Sequence, residues 1–228
     1  MLGRLGLEDQ SASNSSNNTK PVVVSLYGVP GLGKTFLLNE LKDKLGDEHF
    51  IFYNGSKMIS DVVPRGLEAF KKLEEQEKVD WCQAAINNVR NQCTDSDRVE
   101  VVTSHLMFWD KEEESETVVY TQNDLNTYTH IMYLNTPTEV IRQHHLADGR
   151  RSHLYASISH LRKWQEKELD QLCGLCHCNN ILFLSILPSL MLLDRTITLL
   201  HDFRRHSEKY NMSDTERRLD EVMLTYGS

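Results

Sequence analysis

The 228 residues contain no long apolar run, no excess of basic charge and no paired set of cysteines. The longest apolar stretch, Ile181 to Leu193, is interrupted by Ser185, Pro188 and Ser189 and is too short to span a bilayer. The opening MLGRLGLEDQ lacks the apolar segment of a secretory signal. Lys and Arg number 25 against 33 Asp and Glu, a formal charge of −8. Such a chain has no broad field to gather polyanions, so neither nucleic acid nor membrane is an expected partner. Five cysteines, odd in number and unevenly spaced, do not form the framework of a secreted disulfide protein. The expected setting is cytoplasmic, with reduced thiols. Internal repeats are also missing, as is a second CxxC or HxxxH to complete a zinc site around Cys173-x-x-Cys176-His-Cys178. That tract reads as thiols closing a helix.

What is present suits a folded domain: 39% apolar and 25% charged residues, in a length that needs no metal or disulfide to fold. Residues 1–20 read as a flexible polar leader, because 8–20 offer one Ala and nothing larger to bury. Residues 21–207 read as one domain with a small lid near 142–153, and 208–228 as a C-terminal helix opening at the capping box Ser213-x-x-Glu216. The expected strands are 22–27, 50–53, 99–103, 129–134 and 181–187. The expected helices are 33–45, 66–78, 80–93, 137–146, 154–177 and 189–206. Alternation of the two implies an α/β fold, a parallel sheet covered on both faces, with ligands beyond the carboxyl ends of the strands.

Gly28-Val-Pro-Gly-Leu-Gly33-Lys34-Thr35 matches G-x-x-x-x-G-K-[ST] between an apolar strand and an amphipathic helix. Glycines let successive N–H groups turn inward on phosphate oxygens, and the helix adds its free N–H groups and positive dipole end. Lysine reaches the β- and γ-phosphates, and the threonine hydroxyl holds Mg²⁺. Expected nucleotide contacts are Gly28, Pro30, Gly31, Leu32, Gly33, Lys34, Thr35 and Phe36, with Thr35 the metal ligand.

One P-loop after the first strand, five strands in all, and an arginine-bearing segment after the fourth resemble the nucleotide and small-molecule kinases of the adenylate-kinase type. A slighter resemblance is to the P-loop domain of a fungal multidomain protein. The kinase resemblance implies a three-layer P-loop sandwich, five parallel strands in the order 2-3-1-4-5, ATP and Mg²⁺ as cofactors, and a mobile lid. It implies that Arg142, Arg150 and Arg151 act with Lys34 on the transferring phosphates, Arg162 being a further candidate. It places an acceptor near Asn54-Gly55-Ser56-Lys57, with Asp61 as the nearest carboxylate for a base; an ordinary Asn-Gly turn is the alternative. Where P-loop enzymes carry an Asp at the end of strand three, this chain has Thr103-Ser104-His105. His105 is an acceptor candidate, or a buried structural histidine. His144, His145 and His153 read as exposed lid residues, Lys111 to Glu116 as a solvated loop, and Trp81 and Trp164 as core.

The expected activity is transfer of the γ-phosphoryl group to a small hydroxyl- or phosphate-bearing acceptor, a nucleotide or metabolite. The missing strand-three carboxylate keeps a second reading open, a regulatory nucleotide-binding module of a larger protein with little turnover.

Overall fold

The first element among the described residues is β1 (Val23–Tyr27), whose five residues are all buried. That burial follows from a parallel sheet with helices on both faces, which leaves no strand side for water. The computed structural model describes residues 21–93, 98–109, 115–147 and 157–206. The expected leader, residues 148–153 of the expected lid, His153 among them, and the C-terminal helix lie outside the described residues. So does most of the Lys111 to Glu116 run.

After β1 come α1 (Lys34–Leu45), β2 (Phe50–Asn54), α2 (Gly55–Val62), α3 (Leu67–Phe70), α4 (Glu75–Cys93) and β3 (Val99–Thr103). A small ribbon, β4 (Met107–Phe108) and β5 (Thr117–Val118), precedes α5 (Gln122–Thr127) and β6 (His130–Leu134). Then follow α6 (Thr138–Ala147), α7 (Ile158–Asn179), β7 (Leu182–Ile186) and α8 (Leu192–Arg205). The main sheet runs β2-β3-β1-β6-β7, all parallel. Among its own five strands that order is 2-3-1-4-5. β1 has β3 on one side and β6 on the other, so the crevice at the carboxyl end of β1 is the switch point of the sheet.

Leu37, Leu38 and Leu41 of α1, Ile86 and Val89 of α4, Leu161, Trp164 and Leu172 of α7, and Leu200 and Phe203 of α8 close on the sheet in one core. Trp164 is core as expected, whereas Trp81 is only half-buried. Of the thiols expected to close α7, only Cys176 is buried, and burial pushes it up to about 12; Cys173 and Cys178 are exposed.

Two expectations are corrected, and one helix was missed. The segment 66–78 is not one helix. Gly66 N–H bonds back to Val63 O, α3 makes a single turn, and Glu74 then caps α4: its carbonyl accepts from Lys78 N–H at 3.0 Å and its N–H donates to Glu77 Oε2 at 3.3 Å. Asn54-Gly55 is not a turn, because Asn54 Oδ1 accepts from Lys57 N–H at 3.1 Å and so caps α2. Helix α5 was legible as Thr121-x-x-Asp124, a capping box with both reciprocal bonds made.

Two glycines make opposite predictions. A Cβ on Gly55 would lie 2.3 Å from the Thr103 carbonyl oxygen, which is backbone and cannot yield. A Cβ on Gly174, inside α7, meets nothing within 4 Å. Gly55→Ala is expected to cost about 1–3 kcal/mol and Gly174→Ala to add about 0.5–1 kcal/mol, both read by chemical denaturation.

Candidate functional site

Between β1 and α1 the backbone takes positive φ at Gly28 (140°), Gly31 (92°) and Gly33 (92°). Only glycine occupies such angles without strain, which fixes the loop's composition. Gly33 is the N-cap of α1 and offers no side-chain cap, and the first turn of the helix has no acidic residue. The helix's opening N–H groups and its positive end are therefore left for an anion.

Lys34 is buried at 7% exposure. Its ammonium folds back into the loop, donating to Gly28 O and to Val29 O at 3.3 Å, and lies 3.4 Å from His105 Nδ1. Thr35, next to it, is exposed, and its hydroxyl oxygen accepts from Asn54 Nδ2 at 3.1 Å. Asn54 thus works at both ends: its oxygen starts α2 and its amide holds Thr35. A triphosphate fits this donor set: a lysine, uncapped helix N–H groups and a glycine turn. Mg²⁺ fits too, since it takes few protein ligands and completes its shell with phosphate oxygens and water.

The tip of β3 carries no carboxylate. Thr103 Oγ1 accepts from Gly55 N–H at 3.1 Å. Ser104 lies in a chain under the loop, receiving Ser25 Oγ at 2.9 Å and meeting Tyr128 Oη at 2.8 Å. Tyr128 continues to Asp124 Oδ1 at 3.2 Å. Burial raises the Asp124 carboxyl against its hydrogen bonds to Thr121, and raises the Tyr128 phenol well above its usual range. This chain props the site from below.

His105, by contrast, is only half-buried, beside Lys34 and with its ring 5.1 Å from that of Phe108. Ser56 is exposed on the first turn of α2, beside Asn54. Asp61 is also exposed, near the other end of α2, and is bound to Lys57 at 2.8 Å. Arg142 is exposed on α6. Arg150 and Arg151 lie outside the described residues. Arg162 pairs with Glu139 at 3.9 Å on the surface.

Of the two α6 histidines expected to be exposed, His144 is exposed and His145 is buried. His145 Nε2 is 2.7 Å from Pro30 O, and the residue is 4% exposed. His144 Nδ1 is 3.0 Å from Gly31 O. The end of α6 therefore clips two carbonyls of the phosphate loop, those of Pro30 and Gly31. The doublet seven residues after Pro137 was visible, but its direction depends on how α6 packs. Glu168 was also missed. It stands on the buried face of α7 with Leu161, Trp164 and Leu172, and a lone carboxylate at helical spacing among those positions was the available signal.

Residues 27–162, more than half the chain, match the family model described as "AAA domain". No protein of curated function matches the sequence. Among solved structures, the chain is similar to shikimate kinase from Acinetobacter baumannii in complex with shikimate. The TM-score is 0.52 at 18% identity, covering 85% of this chain and 97% of that one. It is also similar to shikimate kinase from Bacteroides thetaiotaomicron, with a TM-score of 0.50 at 15% identity, covering 80% and 97%. These likenesses show the fold, a P-loop kinase sandwich. No described helix is long and apolar enough to cross a membrane.

The histidine clip yields a prediction. Removing a buried donor leaves Pro30 O unpaired, so His145→Ala is expected to lose about 1–3 kcal/mol of stability. His144→Ala, at an exposed site, should change it by less than about 0.5 kcal/mol. Equilibrium denaturation of the two variants checks the difference.

Proposed function

Because the chain belongs to the AAA-domain family of P-loop proteins, we propose that it is an ATP-binding phosphotransferase acting on a small hydroxyl- or phosphate-bearing acceptor. The observation that carries this reading is the uncapped start of α1, with Lys34 buried beside it and the Thr35 hydroxyl exposed next to it. Bound ATP would supply the γ-phosphoryl group, and Mg²⁺ held by Thr35 would neutralise part of its charge. Lys34 would exchange its loop carbonyls for β- and γ-phosphate oxygens. Arg142, Arg150 and Arg151 would stabilise the charge spread over the transferring group, as planar guanidinium groups do. His105, which lies beside Lys34, and Ser56, on the first turn of α2, would contact the acceptor, and Asp61 would serve as base once released from Lys57.

An acceptor, rather than water, is favoured by the composition of the β3 tip. Thr103, Ser104 and His105 supply no carboxylate there to activate water. The same observation favours a second reading, a nucleotide-binding regulatory module with little turnover. The two differ in one measurable property, acceleration of ADP release by an acceptor.

Calorimetry should show ATP·Mg²⁺ binding that weakens about 10–100-fold in Lys34→Ala, the loss of a charged hydrogen-bond donor. In a coupled ADP-release assay, one acceptor class from a panel of nucleoside monophosphates, sugars and hydroxy acids, shikimate among them, should raise the wild-type rate. Lys34-dependent binding with no acceptor effect would support the regulatory module. Failure of wild type to bind any nucleoside triphosphate would overturn both.

A further inference from the structure

A glycine permits a turn without selecting it. Gly31 takes a φ of 92° in the middle of the phosphate loop, and the ring of Pro30 before it fixes φ but not ψ. The peptide planes on either side of Gly31 therefore need holding from outside, and α6 holds both. His145 Nε2 lies 2.7 Å from Pro30 O, and His144 Nδ1 lies 3.0 Å from Gly31 O. A carbonyl only accepts, so each of these nitrogens carries a proton and donates it. Adjacent histidines thus use opposite ring nitrogens on adjacent peptides.

These peptides are trans and planar, so each N–H points opposite to the carbonyl of the same plane. With Pro30 O and Gly31 O turned toward α6, the N–H groups of Gly31 and Leu32 are turned away from it. The strut itself is firm. Thr138, Ile141 and His145 form the buried face of α6, and Ile141 has no exposed surface. Just ahead of the helix, the buried Gln165 of α7 donates from Nε2 to Thr136 O at 2.7 Å.

We propose that His145, seconded by His144, is a positioning residue for the phosphates of a bound nucleotide: acting through Pro30 O and Gly31 O, the pair keeps the Gly31 and Leu32 N–H groups aimed at the anion. This rests on reading the loop as a triphosphate site. Lys34 and the uncapped start of α1 stand at the end of the loop, and the histidines govern its middle. A loop released from α6 spends part of its time in arrangements that do not receive phosphate, and its apparent affinity falls by the competent fraction lost. His145 carries the greater share, because its bond is buried and that of His144 is exposed.

Calorimetry with ATP·Mg²⁺ and with inorganic tripolyphosphate, which offers the phosphates without base or ribose, reads the effect. His145→Ala should bind both roughly tenfold more weakly than wild type, and His144→Ala should stay within about threefold of it. His145→Gln, whose amide can donate to Pro30 O from a similar reach, should recover to within about threefold of wild type. Ile141→Val trims the same buried face without touching the loop, and should lower Tm while leaving both affinities unchanged.

A second readout needs no variant. Amide hydrogen exchange at Gly31 and Leu32 of wild type should slow on addition of tripolyphosphate, as their N–H groups become donors to it. Unchanged exchange at both would overturn the proposal. So would wild-type affinity in His145→Ala, a loss in His145→Ala that His145→Gln does not recover, or an equal loss in Ile141→Val. In each of these cases wild type still binds the triphosphate, and the nucleotide reading stands. Absence of triphosphate binding by wild type would overturn that reading and this proposal with it.

Discussion

A buried ammonium must be surrounded by oxygen, and Lys34 finds that oxygen in the backbone of its own loop. The carbonyls of Gly28 and Val29 receive it. They can do so because Gly28, Gly31 and Gly33 take angles that other residues avoid. Everything nearby is arranged around this one charge. His105 closes one side, and α1 begins immediately afterwards with its N–H groups uncapped. An anion entering there meets a lysine already held in place and a helix end with no competing acid, so little reorganisation is needed.

The sheet supplies the rigidity. β1 is the central strand, hydrogen-bonded on both sides and buried along its whole length, so the point at which the loop departs is fixed. β3 and β2 then place Thr103 against Gly55 and Asn54 against Thr35. β6 leads to α6, whose two histidines hold the outer carbonyls of the loop, and α6 leads in turn to the segment expected to carry Arg150 and Arg151. One short connection therefore joins the phosphate loop to the arginine-bearing segment.

The sheet and the loop were legible in the sequence because each has a strong local cause. The run Val22–Tyr27 can only be a buried strand, and the spacing of Gly28, Gly33, Lys34 and Thr35 has a specific chemical purpose. Elements defined by competition between caps were less legible. Residues 66–78 have helical composition throughout, but Glu74 caps a new helix and divides them. Asn54-Gly55 has turn composition, but the asparagine side chain serves a helix instead. The site residues supplied by tertiary packing were least legible. His145 and Glu168 are both polar residues on helices with an exposed polar face. Only the contact of α6 with the loop, and of α7 with β6, turns them inward.

Lys34, held by loop carbonyls at the mouth of an uncapped helix, is poised to exchange those carbonyls for phosphate. A crystal structure with Mg²⁺ and a non-hydrolysable ATP analogue tests this most directly. Lys34 Nζ should then lie within hydrogen-bond distance of a β- or γ-phosphate oxygen and no longer on Gly28 O, with the opening N–H groups of α1 on the same phosphates and the Thr35 hydroxyl on the metal. An analogue bound elsewhere, or bound at the loop while Lys34 stays on Gly28 O, would contradict it.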